Sequence, residues 1–202
     1  MGEKRAIGID IGREALKYVV VTMQKNNVVV DTCGVRFLHV PAEADTAAWR
    51  TAATAALKEL VAEKRIPTGA AVITAPTAHT LIRALKLPTA TLDKNLADDA
   101  KQQLPFPLET LDWSTITVAT DGDQSHVSLV AVKKDVNAEL LALMADAGID
   151  VAGIESGALA LGNVLLRAHG GSVTPASAIL SIGASATNLT IVDGTKVWMR
   201  TL

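Results

Sequence analysis

The segment AIGIDIGREALKYVVV, Ala6 to Val21, decides the fold. It reads as two β-branched strands, Ala6 to Ile11 and Leu16 to Met23, joined by a tight turn at Gly12. Asp10 is unexpected there, because a charge inside a half-buried strand is costly to desolvate unless it has a partner such as a metal, a hydrogen-bond cluster or a ligand. The segment therefore predicts a strand pair and a special role for Asp10.

A second segment of the chain repeats this pattern. LSIGASATNLTIV (copy 2, residues 180–192) superposes without a gap on IDIGREALKYVVV (copy 1, residues 9–21), some 171 positions earlier. Asp10 falls on Ser181 and Gly12 on Gly183. Two glycine turns that face each other can present backbone N–H groups to a polyphosphate, with Asp10 beside phosphate-bound Mg²⁺ through water. The alternative interpretation is two ordinary hairpins in which Asp10 caps a turn.

Composition narrows the class of protein. The chain has 202 residues, of which 49% are hydrophobic and 20% charged, as expected for a compact globular protein. The formal net charge is -2 and the basic residues are dispersed, so we do not expect the protein to bind nucleic acid. The single cysteine, Cys33, fits a reducing cytosol. No signal segment and no apolar run of about 18 residues is present, so we expect membrane contact only through a partner.

Between the two copies, the order of the predicted strands and helices is typical of an α/β protein. The spacing of apolar residues predicts an amphipathic helix from Asp45 or Thr46 to Lys64, followed by the buried strand AAVITA. A strand, a helix and two further strands then predict a small inserted α+β subdomain, after which a helix, a strand and a helix lead into copy 2. The predicted first subdomain comprises residues 1–76 and 133–177. The predicted inserted subdomain comprises residues 77–132, and the start of a second domain comprises residues 178–202.

Four segments of the chain resemble motifs of one family. Copy 1 resembles the first phosphate motif of the actin-like ATPases, and ILSIGASATNLTIVDGTK resembles their second, in the D-I-G-A-S-x-T-N-L form typical of PilM proteins. LPFPLE, at Leu104 to Glu109, is similar to the I-P-F-P-L-E segment of PilM proteins, and IES, ending at Ser156, is similar to their V-E-S. The segments occur in the order of the family and cover nearly the whole chain.

The resemblance implies an α/β, actin-like ATPase (ribonuclease H-like) fold with an inserted α+β subdomain. It also implies a cytoplasmic protein of type IV pilus assembly, held at the inner membrane through partners, that binds ATP and Mg²⁺ and the N-terminal tail of an inner-membrane PilN-like protein. The alternatives are a type II secretion GspL-like cytoplasmic domain, an FtsA-like protein and a small-molecule kinase of the same superfamily. LPFP is either a helix stop or part of a docking surface.

The resemblance carries over to individual residues. Asp10 matches the acidic residue near the metal, and Gly12 matches the glycine beside the phosphates. Lys17 matches a basic position, where its ammonium reaches a phosphate or is only solvated. Glu155 either orders water or metal, or caps the following helix. The residues that match the second motif and bond phosphate oxygens are Gly183, Ser185, Thr187 and Asn188.

The chain also departs from the family pattern. Ser181 stands where the second motif usually has Asp, which removes one of two carboxylates beside the metal. Arg13 stands where a small hydroxyl residue is common, and its cation either pairs with the nucleotide or blocks it. The adenosine-binding half of the family fold is missing, so we expect a fragment or a shortened relative with weak ATP binding, and at most a weak ATPase.

Overall fold

The computed structural model describes residues 4–25, 27–41, 43–67 and 69–202. In chain order, the described strands and helices are β1 (Lys4–Ile11), β2 (Ala15–Gln24), β3 (Asn27–Phe37), α1 (Thr46–Ala62), β4 (Ala70–Ala75), β5 (Thr80–Pro88), α2 (Leu92–Gln103), β6 (Leu111–Asp121), β7 (Gln124–Lys133), α3 (Lys134–Asp146), β8 (Asp150–Ser156), α4 (Gly157–Ala168), β9 (Val173–Ile182), β10 (Thr187–Gly194) and β11 (Lys196–Thr201).

The chain divides into two compact units. Unit 1 comprises Met1–Pro76 and Asn137–Glu155, and unit 2 comprises Thr77–Val136 and Ser156–Leu202. The predicted finer division, with 77–132 as an inserted subdomain, stays a prediction. Within the described ranges, no helix is both long enough and apolar enough to cross a bilayer.

Unit 1 is built on a five-stranded sheet in the order β3-β2-β1-β4-β8. β1 pairs antiparallel with β2 and parallel with β4, so it lies at the centre of the sheet. α1 and α3 pack on one face, and their apolar residues join those of the strands in a single core. β3 is one continuous strand, with an irregularity in its pairing opposite Val20 and Val21.

The sequence predicts α1 well because its start carries a clear signal. Asp45 is the N-cap residue, and its Oδ1 accepts a hydrogen bond from the Ala48 N–H at 2.8 Å. The inward positions Ala53, Leu57 and Leu60 are buried, as their helical spacing predicts. The helix ends at Ala62, two residues before the predicted end.

Unit 2 contains two three-stranded sheets. The sheet β5-β7-β6 packs with α2 around a core that includes Ala100 and Leu104, in the predicted order of strand, helix, strand and strand. The sequence predicts that α2 begins near Thr91 or Asp93, whose side chains lie outside the described ones. The sheet β11-β10-β9 packs against α4, where Gly162 permits close approach to the strands. The sequence predicts a hairpin over residues 178–200, whereas the structure has three strands there, β9, β10 and β11.

Candidate functional site

The glycine turns of copy 1 and copy 2 have the same hydrogen bond. The Gly12 N–H donates to the Ala15 carbonyl at 3.0 Å, and the Gly183 N–H donates to the Ala186 carbonyl at 3.0 Å. A Cβ on Gly12 or Gly183 would come within 2.9 or 3.0 Å of that same carbonyl oxygen. The glycines are therefore required to close the turns, and their own N–H groups are engaged in doing so. Any backbone N–H offered to a ligand comes from the residues that follow them.

Asp10 has two partners within unit 1. It lies directly opposite Lys17 on β2, whose Nζ donates to Asp10 Oδ2 at 2.8 Å. Thr74, on β4, donates its hydroxyl to Asp10 Oδ1 at 2.5 Å. The side chain of Asp10 is 45% exposed and that of Lys17 is 56% exposed. The charge in the strand is thus stabilised by a polar row across three strands, Lys17–Asp10–Thr74, at the end of the sheet nearest the Gly12 turn.

Two further side chains hold the copy 1 turn in place. The indole N–H of Trp49, on α1, donates to the Gly12 carbonyl at 3.3 Å. The half-buried Arg13 directs its guanidinium to the Ala44 carbonyl, in the segment before α1. Nothing in the local sequence pairs Trp49 with Gly12. The turn is therefore fixed from the α1 side of the unit.

The corresponding row in copy 2 is neutral. Ser181 lies directly opposite Asn188, as Asp10 lies opposite Lys17. Asn188 is 6% exposed, its Nδ2 donates to Thr77 Oγ1 at 3.1 Å, and its Oδ1 accepts from Thr201 Oγ1 at 3.0 Å. Both ends of this amide are used inside unit 2, so Asn188 has a structural role. Its predicted role as a phosphate ligand stays a prediction.

The other predicted residues are placed as follows. Gly183 and Ser185 are exposed in the copy 2 turn, and Thr187 is half-buried at the start of β10. Glu155 is half-buried within β8, and the N-cap of α4 is Ser156. The interpretation of Glu155 as a turn residue that caps α4 is therefore wrong.

The predicted site residues form two groups. Asp10, Gly12, Arg13 and Lys17 lie together in unit 1, and the four residues of the second motif lie together in unit 2. The predicted clamp made of both groups stays a prediction.

The residues of copy 1 fit a magnesium-bound phosphate. Mg²⁺ keeps most of its water ligands and is usually held by one or two carboxylates together with substrate phosphates. Asp10 supplies one carboxylate at the edge of the solvent, and Lys17 supplies a cation beside it, whereas Arg13 lies in the adjacent turn with its guanidinium on the Ala44 carbonyl. Among the described residues, no group of three or more His, Cys, Asp or Glu side chains is placed to hold a metal ion.

Comparison with known proteins adds independent findings. The family model described as type IV pilus assembly protein PilM matches residues 8–202. The comparison with curated proteins found no match.

Solved structures with the same architecture align with nearly all of this chain. The PilM–PilN type IV pilus biogenesis complex has a TM-score of 0.81 at 22% identity, covering 98% of this chain and 61% of that chain. The cytoplasmic domain of EpsL, an inner-membrane component of the type II secretion system of Vibrio cholerae, has a TM-score of 0.61 at 10% identity, covering 98% and 71%. Ethanolamine utilization protein EutJ from Carboxydothermus hydrogenoformans has a TM-score of 0.53 at 13% identity, covering 100% and 53%.

Proposed function

The chain belongs to the type IV pilus assembly protein PilM family and has the α/β actin-like ATPase fold, and on that premise we propose that it is a cytoplasmic, nucleotide-binding adaptor of type IV pilus assembly. Its proposed partner is the N-terminal tail of an inner-membrane PilN-like protein. The observation that carries this proposal is the family match over residues 8–202, together with the likeness to the PilM–PilN complex. The chain spans 61% of the length of the solved PilM chain, so the proposal concerns the functions that this part supports.

A docking surface for the tail is supported by the LPFPLE segment in unit 2. Phe106 is 37% exposed, although phenyl rings are usually buried, and the Nζ of Lys133 lies 4.2 Å from its ring centroid. An exposed ring beside a cation is a surface that a peptide with apolar and acidic residues can bind. We therefore assign Phe106 to the docking surface.

Nucleotide binding is supported by the polar row of copy 1. Asp10, Lys17 and Arg13 offer one carboxylate and two cations next to a turn of fixed shape, which suits a phosphate with its magnesium ion. Ser181 provides no second carboxylate in copy 2. The nucleotide is therefore proposed as a structural ligand, with slow hydrolysis at most.

The partner proposal is tested by calorimetric titration with a synthetic peptide from the N-terminus of a PilN-like inner-membrane protein. We expect saturable binding, and we expect Phe106→Ala to weaken it about tenfold, as for a central interface ring. The chain has two phenylalanines, so Phe37→Ala, 60% exposed in unit 1, is the matched control and should bind the peptide normally. A folded wild-type chain that does not bind the peptide would overturn the adaptor proposal.

The nucleotide proposal is tested by calorimetric titration with ATP and Mg²⁺. We expect Asp10→Asn to weaken binding. Asp31→Asn is the control, because Asp31 also accepts a threonine hydroxyl, from Thr22 at 2.7 Å, in the same sheet and away from the turn. Equal binding by wild type and Asp10→Asn would show that Asp10 is not at the metal.

The type II secretion alternative fits less well. The EpsL cytoplasmic domain has the same fold, but its TM-score of 0.61 is well below the 0.81 of the PilM chain. The family model that matches residues 8–202 is also the pilus one. Both findings favour pilus assembly.

A further inference from the structure

Thr74 is a polar residue in an otherwise apolar strand. It occupies the fifth position of the strand AAVITA, between Ile73, fully buried, and Ala75, 4% exposed. β4 is parallel to β1, with Ile73 beside Ile9, so Thr74 comes next to Asp10 in the same register. Its hydroxyl donates to Asp10 Oδ1 at 2.5 Å. Neither the family resemblance nor the motif pattern assigns this residue a role.

The two partners of Asp10 differ in how firmly they are held. Thr74 is β-branched, with a stiff χ1, and sits on a central strand between buried neighbours. Lys17 reaches Oδ2 with a long side chain that is 56% exposed, and ordering such a side chain costs entropy. Thr74 therefore fixes the orientation of the carboxylate, whereas the ammonium on Oδ2 is the partner that solvent or another cation can replace.

From this arrangement we infer that Thr74 is a positioning residue for the nucleotide site, which holds Asp10 so that Oδ2 is available to a hydrated divalent cation. The inference rests on the proposed nucleotide binding. Its role is indirect, because Thr74 acts on the ion only through Asp10. Partners of this kind commonly change metal affinity by about 10- to 100-fold.

Three variants test the inference. Thr74→Val removes the hydroxyl and keeps the shape, and Thr74→Ser keeps the hydroxyl. Thr22→Val is the matched control, because Thr22 also donates to an aspartate, Asp31, at 2.7 Å in the same sheet. Each variant is titrated calorimetrically with ATP and Mg²⁺, and again with ATP and EDTA, and its unfolding in urea is followed without ligand.

The expected result separates positioning from general stability. Thr74→Val should lose about tenfold or more in affinity for ATP with Mg²⁺ and little without the metal, and Thr74→Ser should recover most of the loss. Thr22→Val should bind as wild type in both titrations. An unchanged Mg²⁺-dependent affinity of Thr74→Val, or an equal loss with and without metal, would overturn the inference while leaving nucleotide binding in place. A folded wild-type chain that binds no ATP with Mg²⁺ would overturn both.

Discussion

Asp10 and Lys17 face each other across β1 and β2 with Nζ 2.8 Å from Oδ2, and their counterparts Ser181 and Asn188 face each other across β9 and β10. The repeat thus has an ion pair in copy 1 and two neutral residues in copy 2. Asn188 is 6% exposed, so a lysine there without a carboxylate opposite would be a buried, uncompensated charge. The row of copy 2 therefore carries no charge, and the charges of the predicted site are concentrated in copy 1.

The Asp10–Lys17 ion pair should contribute little to stability. Both side chains are about half exposed, so we expect a double-mutant cycle with Asp10→Asn and Lys17→Met to give a coupling energy of about 0.2–1 kcal/mol. The coupling should shrink at high salt, because exposed charges are screened. Urea unfolding of the four proteins at low and high salt measures it. A coupling energy well above 1 kcal/mol that does not change with salt concentration would contradict the interpretation of this contact as a surface ion pair.

Asn188 should matter for the stability of unit 2. Replacing it with leucine removes the partners of the Thr77 and Thr201 hydroxyls, and we expect a loss of about 1–3 kcal/mol in the free energy of unfolding. Asn163→Leu, at an exposed position of α4, is the control and should change stability by less than about 0.5 kcal/mol. Urea denaturation monitored by circular dichroism measures both. Equal stabilities for the two variants would contradict the structural role of Asn188.

The local pattern of the sequence predicts most of the strands and the repeat. The strands and the glycine turn of each copy are formed by residues that are close together in the chain. The gapless match of copy 1 and copy 2 therefore predicts the same strand pairing in both, as the pairs Asp10–Lys17 and Ser181–Asn188 show. The N-cap of α1 at Asp45 is also a local signal. The resemblance to PilM proteins, carried by several short motifs, is confirmed by the family match.

The supports of the site were not predictable in this way. Thr74 is 64 residues from Asp10, and Trp49 is 37 residues from Gly12, so these contacts depend on which strand and helix pack beside β1. The sequence signal for Thr74 is its polar side chain near the end of the otherwise apolar strand AAVITA. The motif predicts a phosphate role for Asn188, which stays a prediction, and it gives no information about the contacts with Thr77 and Thr201. Packing of segments that are distant in the chain, rather than local pattern, decides these contacts.

Gly162 is expected to be intolerant of a side chain. A Cβ there would lie 2.7 Å from Val197 Cγ1, and overpacking of this kind costs about 1–3 kcal/mol. Alanine favours helices over glycine by about 1 kcal/mol, so we expect Gly162→Ala to destabilise the protein by up to about 2 kcal/mol net. Adding Val197→Ala should remove the clash and restore part of the loss, as measured by thermal unfolding. Purely additive losses in the double variant would argue against direct contact.

Arg36 should stabilise unit 1 equally at neutral and alkaline pH. It binds Glu63 at 2.9 Å and Glu59 at 2.8 Å, connecting β3 to α1, and the hydrogen bond that it donates to Glu63 raises the pKa of the guanidinium above its usual value. A base whose pKa is raised by folding contributes its stabilisation fully below the pKa of the unfolded chain and loses it only as pH rises through the folded value. For arginine both values lie far above the working range. The difference in unfolding free energy between wild type and Arg36→Gln should therefore be the same at about pH 7 and about pH 10. A smaller difference at the higher pH would mean that Arg36→Gln acts through some group that titrates between them, and not through the loss of the guanidinium charge.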